Sequence, residues 1–337
     1  MQILITGGLG YIGSHIATKA ISEGYEIIIL DNLSNSSFDT LSYINNITNK
    51  ENIFYDYDIR NQKSLAEVFK NNNIQAIIHC AGLKSVNESF AQKNLYQNNN
   101  VEGSSVLFKT ALEFGIKKII FSSSAAVYGQ PSINPIKETD PSKPECPYGQ
   151  NKVDIEAMLQ SLCKLHKNLS CISLRYFNPL GAHKSGLIGD YGLKKPANIF
   201  PLICKAALDL SVFKVNGQDY DTPDGTCIRD YIHIDDLVSG HLSALDYTNN
   251  FIGHKAVNLG RGEGVSVIEL LSIFKKEVNN ELKYCFGDRR KGDAAMVFAN
   301  PSLANKIFNW KAKKSIIEMI HDGWKWEKSK YSRNNIR

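Results

Sequence analysis

Ile3-Leu4-Ile5-Thr6-Gly7-Gly8-Leu9-Gly10-Tyr11-Ile12-Gly13 opens the chain with a short apolar run, a glycine-rich turn and the start of a helical pattern. The run is apolar throughout rather than alternating, as in a strand buried on both faces of a parallel sheet. Gly7, Gly10 and Gly13 are spaced Gly-x-x-Gly-x-x-Gly. Glycines so placed allow a tight turn, bring backbone N–H groups close to a pyrophosphate and add the positive end of the following helix. The triplet alone is a weak signal; its place between a buried strand and a helix makes it a strong one for a dinucleotide.

The same alternation continues outward. Apolar runs at 26–30, 53–57, 76–79, 118–121 and 171–176 are separated by helical patterns at 13–22, 64–70, 98–114 and 153–165. Strand–helix alternation implies right-handed crossovers and an α/β, doubly wound parallel sheet of the Rossmann type. Past residue 177, Gly, Pro, Asn and Asp become frequent and the apolar runs scatter. This predicts a smaller, loop-rich α/β C-terminal lobe, with helices at 196–210 and 267–279. We therefore expect a cofactor lobe at 1–176, joined again by segments near 230–260, and a second lobe at 177–337.

Composition narrows the class. The 337 residues are 43% hydrophobic and 22% charged, enough apolar material for a core. The net charge of +5 is spread without any block of about five like charges, which argues against a nucleic-acid arm. Seven scattered cysteines, an odd number with no Cys-x-x-Cys, argue against a disulfide framework or structural zinc. No metal is expected. With no apolar stretch of about 18 residues and no secretory pattern at the start, a cytoplasmic protein without a membrane partner is expected.

Asp31 ends the second run. A carboxylate there accepts hydrogen bonds from an adenosine ribose and repels a 2′-phosphate, favouring NAD over NADP; capping the next segment is a second role that can coexist. Asp58-Ile59, after the third run, could meet the adenine edge. Tyr148 and Lys152 are four residues apart and share a face if they form the first turn of the helix at 153–165. A nearby cation stabilises a phenolate, so Lys152 is expected to lower the tyrosine pKa and make Tyr148 a usable base. Tyr-x-x-x-Lys is common by chance. Its flank decides, because Ser122-Ser123-Ser124 ends the run at 118–121, and such carboxyl ends are where parallel sheets bind ligands.

Thr6 to Gly13, Asp31-Asn32-Leu33, Ala81-Gly82-Leu83-Lys84, the serine triplet and Tyr148 to Lys152 together resemble the extended short-chain dehydrogenase/reductases. Arg175-Tyr176-Phe177-Asn178-Pro179, Arg229-Asp230-Tyr231-Ile232-His233 and Arg289-Arg290-Lys291-Gly292-Asp293 narrow the resemblance to the UDP-glucose 4-epimerase family, over residues 1 to about 326. That resemblance implies a catalytic set of Tyr148, Lys152 and Ser124. It implies NAD contacts at Gly7, Gly10, Tyr11, Ile12, Gly13, Asp31, Asn32, Ser36, Asp58, Ile59, Cys80, Ala81, Gly82, Lys84, Asn99, Ser122 and Phe177. It implies UDP-sugar contacts at Lys84, Ser124, Asn178, Asn198, Asn216, Arg229, Arg290, Asp293 and Val297. Arginines suit a pyrophosphate independently, since a guanidinium fork matches its oxygens. Related dehydratases carry an acid pair just after the serine, where this chain has Ala125-Ala126. Val297 stands where family members restricted to glucose and galactose carry tyrosine, which implies room for an N-acetyl group. Ala126 departs from the family's frequent threonine, and Asn216 from its frequent aromatic near the uracil. A homodimer paired through the helices at 98–114 and 153–165 is implied as well. A UDP-glucuronate epimerase or another nucleotide-sugar reductase, and a dinucleotide-sensing protein with an idle site, are the competing readings.

Overall fold

The computed structural model describes residues 1–191, 198–279, 281–290 and 292–335. In chain order its first part contains β1 (Gln2–Thr6), α1 (Tyr11–Ser22), β2 (Glu26–Asp31), α2 (Asp39–Thr48), β3 (Ile53–Asp56), α3 (Gln62–Asn71) and β4 (Ile74–His79). Short helices α4 (Val86–Ala91) and α5 (Lys93–Tyr96) lead through a π-helical turn at Gln97–Glu102 into α6 (Gly103–Glu113). Then come β5 (Lys118–Ser122), α7 (Pro147–Leu165) and β6 (Ser170–Tyr176).

The second part holds β7 (Asn178–Leu180), α8 (Ile199–Leu208), β8 (Val212–Asn216), β9 (Ile228–Arg229), β10 (Tyr231–His233), α9 (Ile234–Tyr247) and β11 (Gly253–Leu259). It closes with β12 (Val265–Ser266), α10 (Val267–Val278), β13 (Lys283–Gly287), β14 (Met296–Val297), α11 (Ser302–Phe308) and α12 (Ile316–Asn335).

The main sheet has seven strands in the order β11-β6-β5-β4-β1-β2-β3, and every pairing in it is parallel. Successive side chains alternate faces. Ile3 and Ile5 pack under α1 and α9, while Leu4 joins the opposite core with Leu65, Val68, Leu107 and Ile155. Both faces are covered, which is why the strand runs read as apolar throughout. β11 belongs to this sheet although it comes late in the chain. A third core, around Phe200, Ile203, Leu270, Phe274, Met319 and Ile320, supports the smaller lobe.

Two expectations shift. The helix expected over 98–114 is not one helix: its first turn is π-helical, and the regular part starts at Gly103. The helix expected from Pro196 begins there outside the described residues; the described helix is Ile199–Leu208. All seven cysteines are free. Among the described residues no helix is long and apolar enough to cross a membrane, and no group of three or more His, Cys, Asp or Glu could hold a metal ion.

Burial pushes four imidazoles down from their ordinary 6.5: His15 and His79 to about 3, His241 and His254 to about 4. Between pH 6.5 and 4 the unfolded chain therefore binds protons that the folded chain refuses, so stability rises with pH and is lost as pH falls through that window. Asp230, pushed up to about 6 by burial, acts in the opposite sense, as do Asp31, Glu138 and Glu327, also pushed up by burial, so the four imidazoles are opposed in part. Unfolding free energies from denaturant titrations between pH 7 and pH 4 should fall, by on the order of several kcal/mol in total. The fall should be shallower in His254→Gln, which keeps a partner for Ser173 without the titration.

Candidate active site

A single cavity of about 390 Å³ runs from the glycine turn, past the carboxyl ends of β4 and β5, into the smaller lobe. At one end Gly10, Tyr11, Ile12 and Gly13 line it. The first turn of α1 has neither a side-chain cap nor an acidic residue, so its N–H groups and helix charge are open to an anion. The glycines are required by space. A Cβ on Gly13 would lie 2.2 Å from the Gly7 carbonyl oxygen, and one on Gly7, whose φ is +65°, would lie 2.7 Å from the Ala81 nitrogen.

Asp31 lines the same end. Its Oδ1 accepts from the Leu33 N–H (3.0 Å) and the Ser36 hydroxyl (2.7 Å), and its Oδ2 from the Leu9 N–H (3.0 Å). Burial pushes this carboxyl up. Oδ2 keeps a free acceptor site for a ribose hydroxyl. Asn32, Ser36, Ile59, Cys80, Ala81, Gly82, Lys84 and Asn99 also line the cavity. Asn99 comes from the π-helical turn, an irregularity often found at functional sites. Its neighbour Asn100 clamps the loop after β4 by accepting from the Leu83 N–H (2.8 Å) and donating to the Leu83 carbonyl (3.0 Å).

Tyr148 and Lys152 do lie in the first turns of one helix, α7, which starts at Pro147 behind a Cys146 cap. Ser124 lines the cavity beside the Tyr148 phenol. The Lys152 ammonium donates to the Ser122 carbonyl at 2.7 Å and sits 5.7 Å from the Tyr148 ring centroid. The expected lowering of the tyrosine pKa by Lys152 is not what the site shows. Burial pushes Tyr148 up to about 12, offset in part by Ser124, and burial pushes Lys152 down to about 8. Both charged forms are starved of water, and that penalty sets the direction of both shifts.

In the smaller lobe Phe177, Asn178, Asn198, Arg229, Arg290, Asp293 and Val297 line the cavity. Arg290 grips Asp293 through two hydrogen bonds (3.0 and 2.5 Å), and Arg229 approaches it at 3.5 Å. Lys84 pairs with Asp190 at 3.3 Å, and Asn198 donates to the same carboxylate at 2.8 Å.

Three expected contacts lie off the cavity wall. The Asp58 carboxylate is taken by Arg60 (2.7 Å) and by Asn32 (2.9 Å). The Ser122 side chain points behind the sheet to His241 (2.9 Å), leaving only its carbonyl to hold Lys152. Asn216 is exposed at the end of β8. Conversely, Val86, Phe90, Glu145, Cys146, Tyr176, Asp190 and Tyr191 line the cavity without having been singled out. Val86 and Phe90, four apart on α4, and Tyr176, at the carboxyl end of β6, carried legible signals; Asp190 and Tyr191, in an aperiodic loop, did not.

Residues 3–260 match the model of the NAD dependent epimerase/dehydratase family, and the chain belongs to that family. Within it, the chain is 45% identical over 330 residues to the UDP-glucose 4-epimerase of Bacillus subtilis, covering 98% of this chain and 97% of that protein. A solved structure of the enzyme from Stenotrophomonas maltophila, with bound NAD and formylated UDP-arabinopyranose, superposes with a TM-score of 0.96 at 38% identity, covering 99% of each chain. That of Bifidobacterium longum, in complex with NAD+ and UDP, gives 0.94 at 40% identity and 98% of each chain.

Gly13→Ala should purify with dinucleotide content reduced by about tenfold or more, read by extraction and quantitation. Gly24→Ala, strained by a φ of +88° but off the cavity wall, should lose some stability and keep its full content. A fully loaded Gly13→Ala would remove the glycine turn from the binding site.

Proposed function

We propose that the protein is an NAD-dependent C4 epimerase that interconverts UDP-glucose and UDP-galactose, and that it also accepts UDP-GlcNAc and UDP-GalNAc. One observation carries the reading: Ser124, Tyr148 and Lys152 meet in one cavity between a glycine cradle and a cluster of arginine and amide groups. The chain divides accordingly into a cofactor lobe at 1–176, rejoined near 230–260, and a UDP-sugar lobe at 177–337.

The cradle that added Cβ atoms would fill, the uncapped start of α1 and the open acceptor on Asp31 fit NAD. When bound, NAD supplies a reversible hydride acceptor and a ring that is positively charged while oxidised. Tyr148 takes the proton of the sugar 4-hydroxyl and returns it to that same oxygen once the sugar has turned its other face, with Ser124 holding the oxygen throughout. Its phenol needs added positive charge to ionise near neutrality, and the buried Lys152 ammonium supplies part of it. Arg229 and Arg290 hold the diphosphate while the sugar turns over, and Asn178 and Asn198 bond its polar groups. Ala125 and Ala126 line the cavity where related dehydratases carry an acid pair, so no proton donor stands at that point and dehydration is disfavoured.

A glucuronate substrate finds no spare cation among the described residues of the wall: Arg229 and Arg290 are committed to the diphosphate, Lys84 pairs with Asp190, and Lys152 bonds the Ser122 carbonyl. A cytoplasmic homodimer completes the reading. Free thiols suit a reducing compartment, and α7 presents Ala157, Ser161 and Leu165 outward for pairing with a second copy.

Tyr148→Phe should cut kcat by about 10²–10⁴ while NAD stays bound; an unaffected rate would overturn the mechanism. The wild-type protein should turn over UDP-GlcNAc as well as UDP-glucose. Val297→Tyr should reduce the N-acetyl reaction at least about tenfold, by filling the wall, and spare the glucose pair. Undetectable wild-type turnover of UDP-GlcNAc beside good turnover of UDP-glucose would refute the wider range.

A further inference from the structure

Asp230 is fully buried and does not line the cavity, yet three other segments of the sugar lobe are tied to it. It stands where the chain changes partners. Before it, β9 pairs in parallel with β14, with Arg229 opposite Val297; after it, β10 pairs in parallel with β7. Its own backbone bonds both sides: the Asp230 N–H donates to the Val297 carbonyl (3.2 Å), and the Asp230 carbonyl accepts from the Asn178 N–H (2.9 Å).

The carboxylate gathers the loop after β11 and the chain just past β14. Oδ1 accepts from the Arg261 N–H (2.8 Å), and Oδ2 from the Gly262 N–H (2.9 Å) and the Ala299 N–H (3.1 Å). The site is built to this atom. A Cβ on Gly260 would lie 2.4 Å from Oδ2 and 2.6 Å from the Ala299 Cβ. Asn178, Arg229 and Val297 are wall residues, and each is either bonded to the Asp230 backbone or next to it in sequence. Ala299, two residues past Val297, is bonded to its carboxylate.

We propose that Asp230 is the positioning residue of the sugar pocket: without contacting substrate, it sets the separation of Asn178, Arg229 and Val297, and hence the fit and selectivity for the sugar. An amide cannot replace it, because one of its two ends would present N–H to backbone N–H, leaving buried donors unpaired. The inference rests on the epimerase reading of the same cavity.

Asp236 provides the matched comparison. It is a buried carboxylate accepting two backbone N–H groups, from Lys313 (2.9 Å) and Lys314 (2.8 Å), and it does not line the cavity. Asp230→Asn and Asp236→Asn holoenzymes are assayed with UDP-galactose and UDP-GalNAc for kcat, KM, bound NAD and thermal midpoint. Both should lose thermal stability. Asp230→Asn alone should raise KM about tenfold and change the ratio of the two substrates, with NAD content retained and kcat within about threefold. Gly260→Ala, which keeps the carboxylate but displaces it, should move KM in the same direction and serves if Asp230→Asn does not fold. Unchanged KM in Asp230→Asn, or an equal rise in Asp236→Asn, overturns the proposal. An inactive wild-type protein would instead overturn the epimerase reading.

Discussion

The buried ion pair between Arg175 and Glu156 is the constraint on which the site depends. Arg175 on β6 meets Glu156 on α7 at 2.6 Å, with both side chains about nine-tenths buried. Removing two charges from water is costly, and the pair survives because its remaining valences are filled. Ser123 donates to Glu156 at 2.5 Å, and Arg175 donates to the Tyr128 hydroxyl at 3.0 Å, which in turn donates to Asn258 at 2.7 Å. The network thus ties α7, the serine triplet after β5, and strands β6 and β11 to one another. Glu156 lies one turn beyond Lys152, so the geometry that fixes it also fixes where Tyr148 stands relative to Ser124. Removing one partner strands the other charge and costs about 3–5 kcal/mol; it would also loosen the register of the catalytic helix.

With that frame held, the reacting groups are poised by being dry. Tyr148 and Lys152 are both buried, and burial disfavours the charge each would carry. A site of this kind is reluctant to ionise alone and responds strongly to a charge brought into it, because low dielectric magnifies each interaction. The arginines and Asp293 at the far end form a polar cluster, Asp293 pairing with both Arg290 and Arg229, and Arg229 is next in sequence to the buried Asp230.

Much of the cofactor lobe was legible, for a simple reason. Strands covered on both faces, such as Ile3-Leu4-Ile5, have no polar alternation to confuse them with surface segments, and the glycines of the turn are required by contacts of under 3 Å. Tyr148 and Lys152 were legible because their spacing is one helical turn. The π-helical turn before α6 was not, since its backbone pattern leaves no mark on residue type. In the smaller lobe β9, β12 and β14 are two residues long, too short for any periodicity. The far wall was therefore placed by motif resemblance, which put Asn178, Arg229 and Val297 on the cavity but could not see that Asn216 stays on the surface. The pKa relation between Tyr148 and Lys152 failed for another reason: spacing reveals that two groups are near, not how much water each has lost.

The central claim, on the proposed function, is that the protein works with a resident dinucleotide and brings about no net redox change. Incubating the purified protein with UDP-galactose, with no added NAD, tests it most directly. The account predicts conversion to an equilibrium mixture with UDP-glucose and no accumulation of reduced nicotinamide. Absence of conversion, or an oxidised sugar appearing in step with reduced nicotinamide, would contradict it.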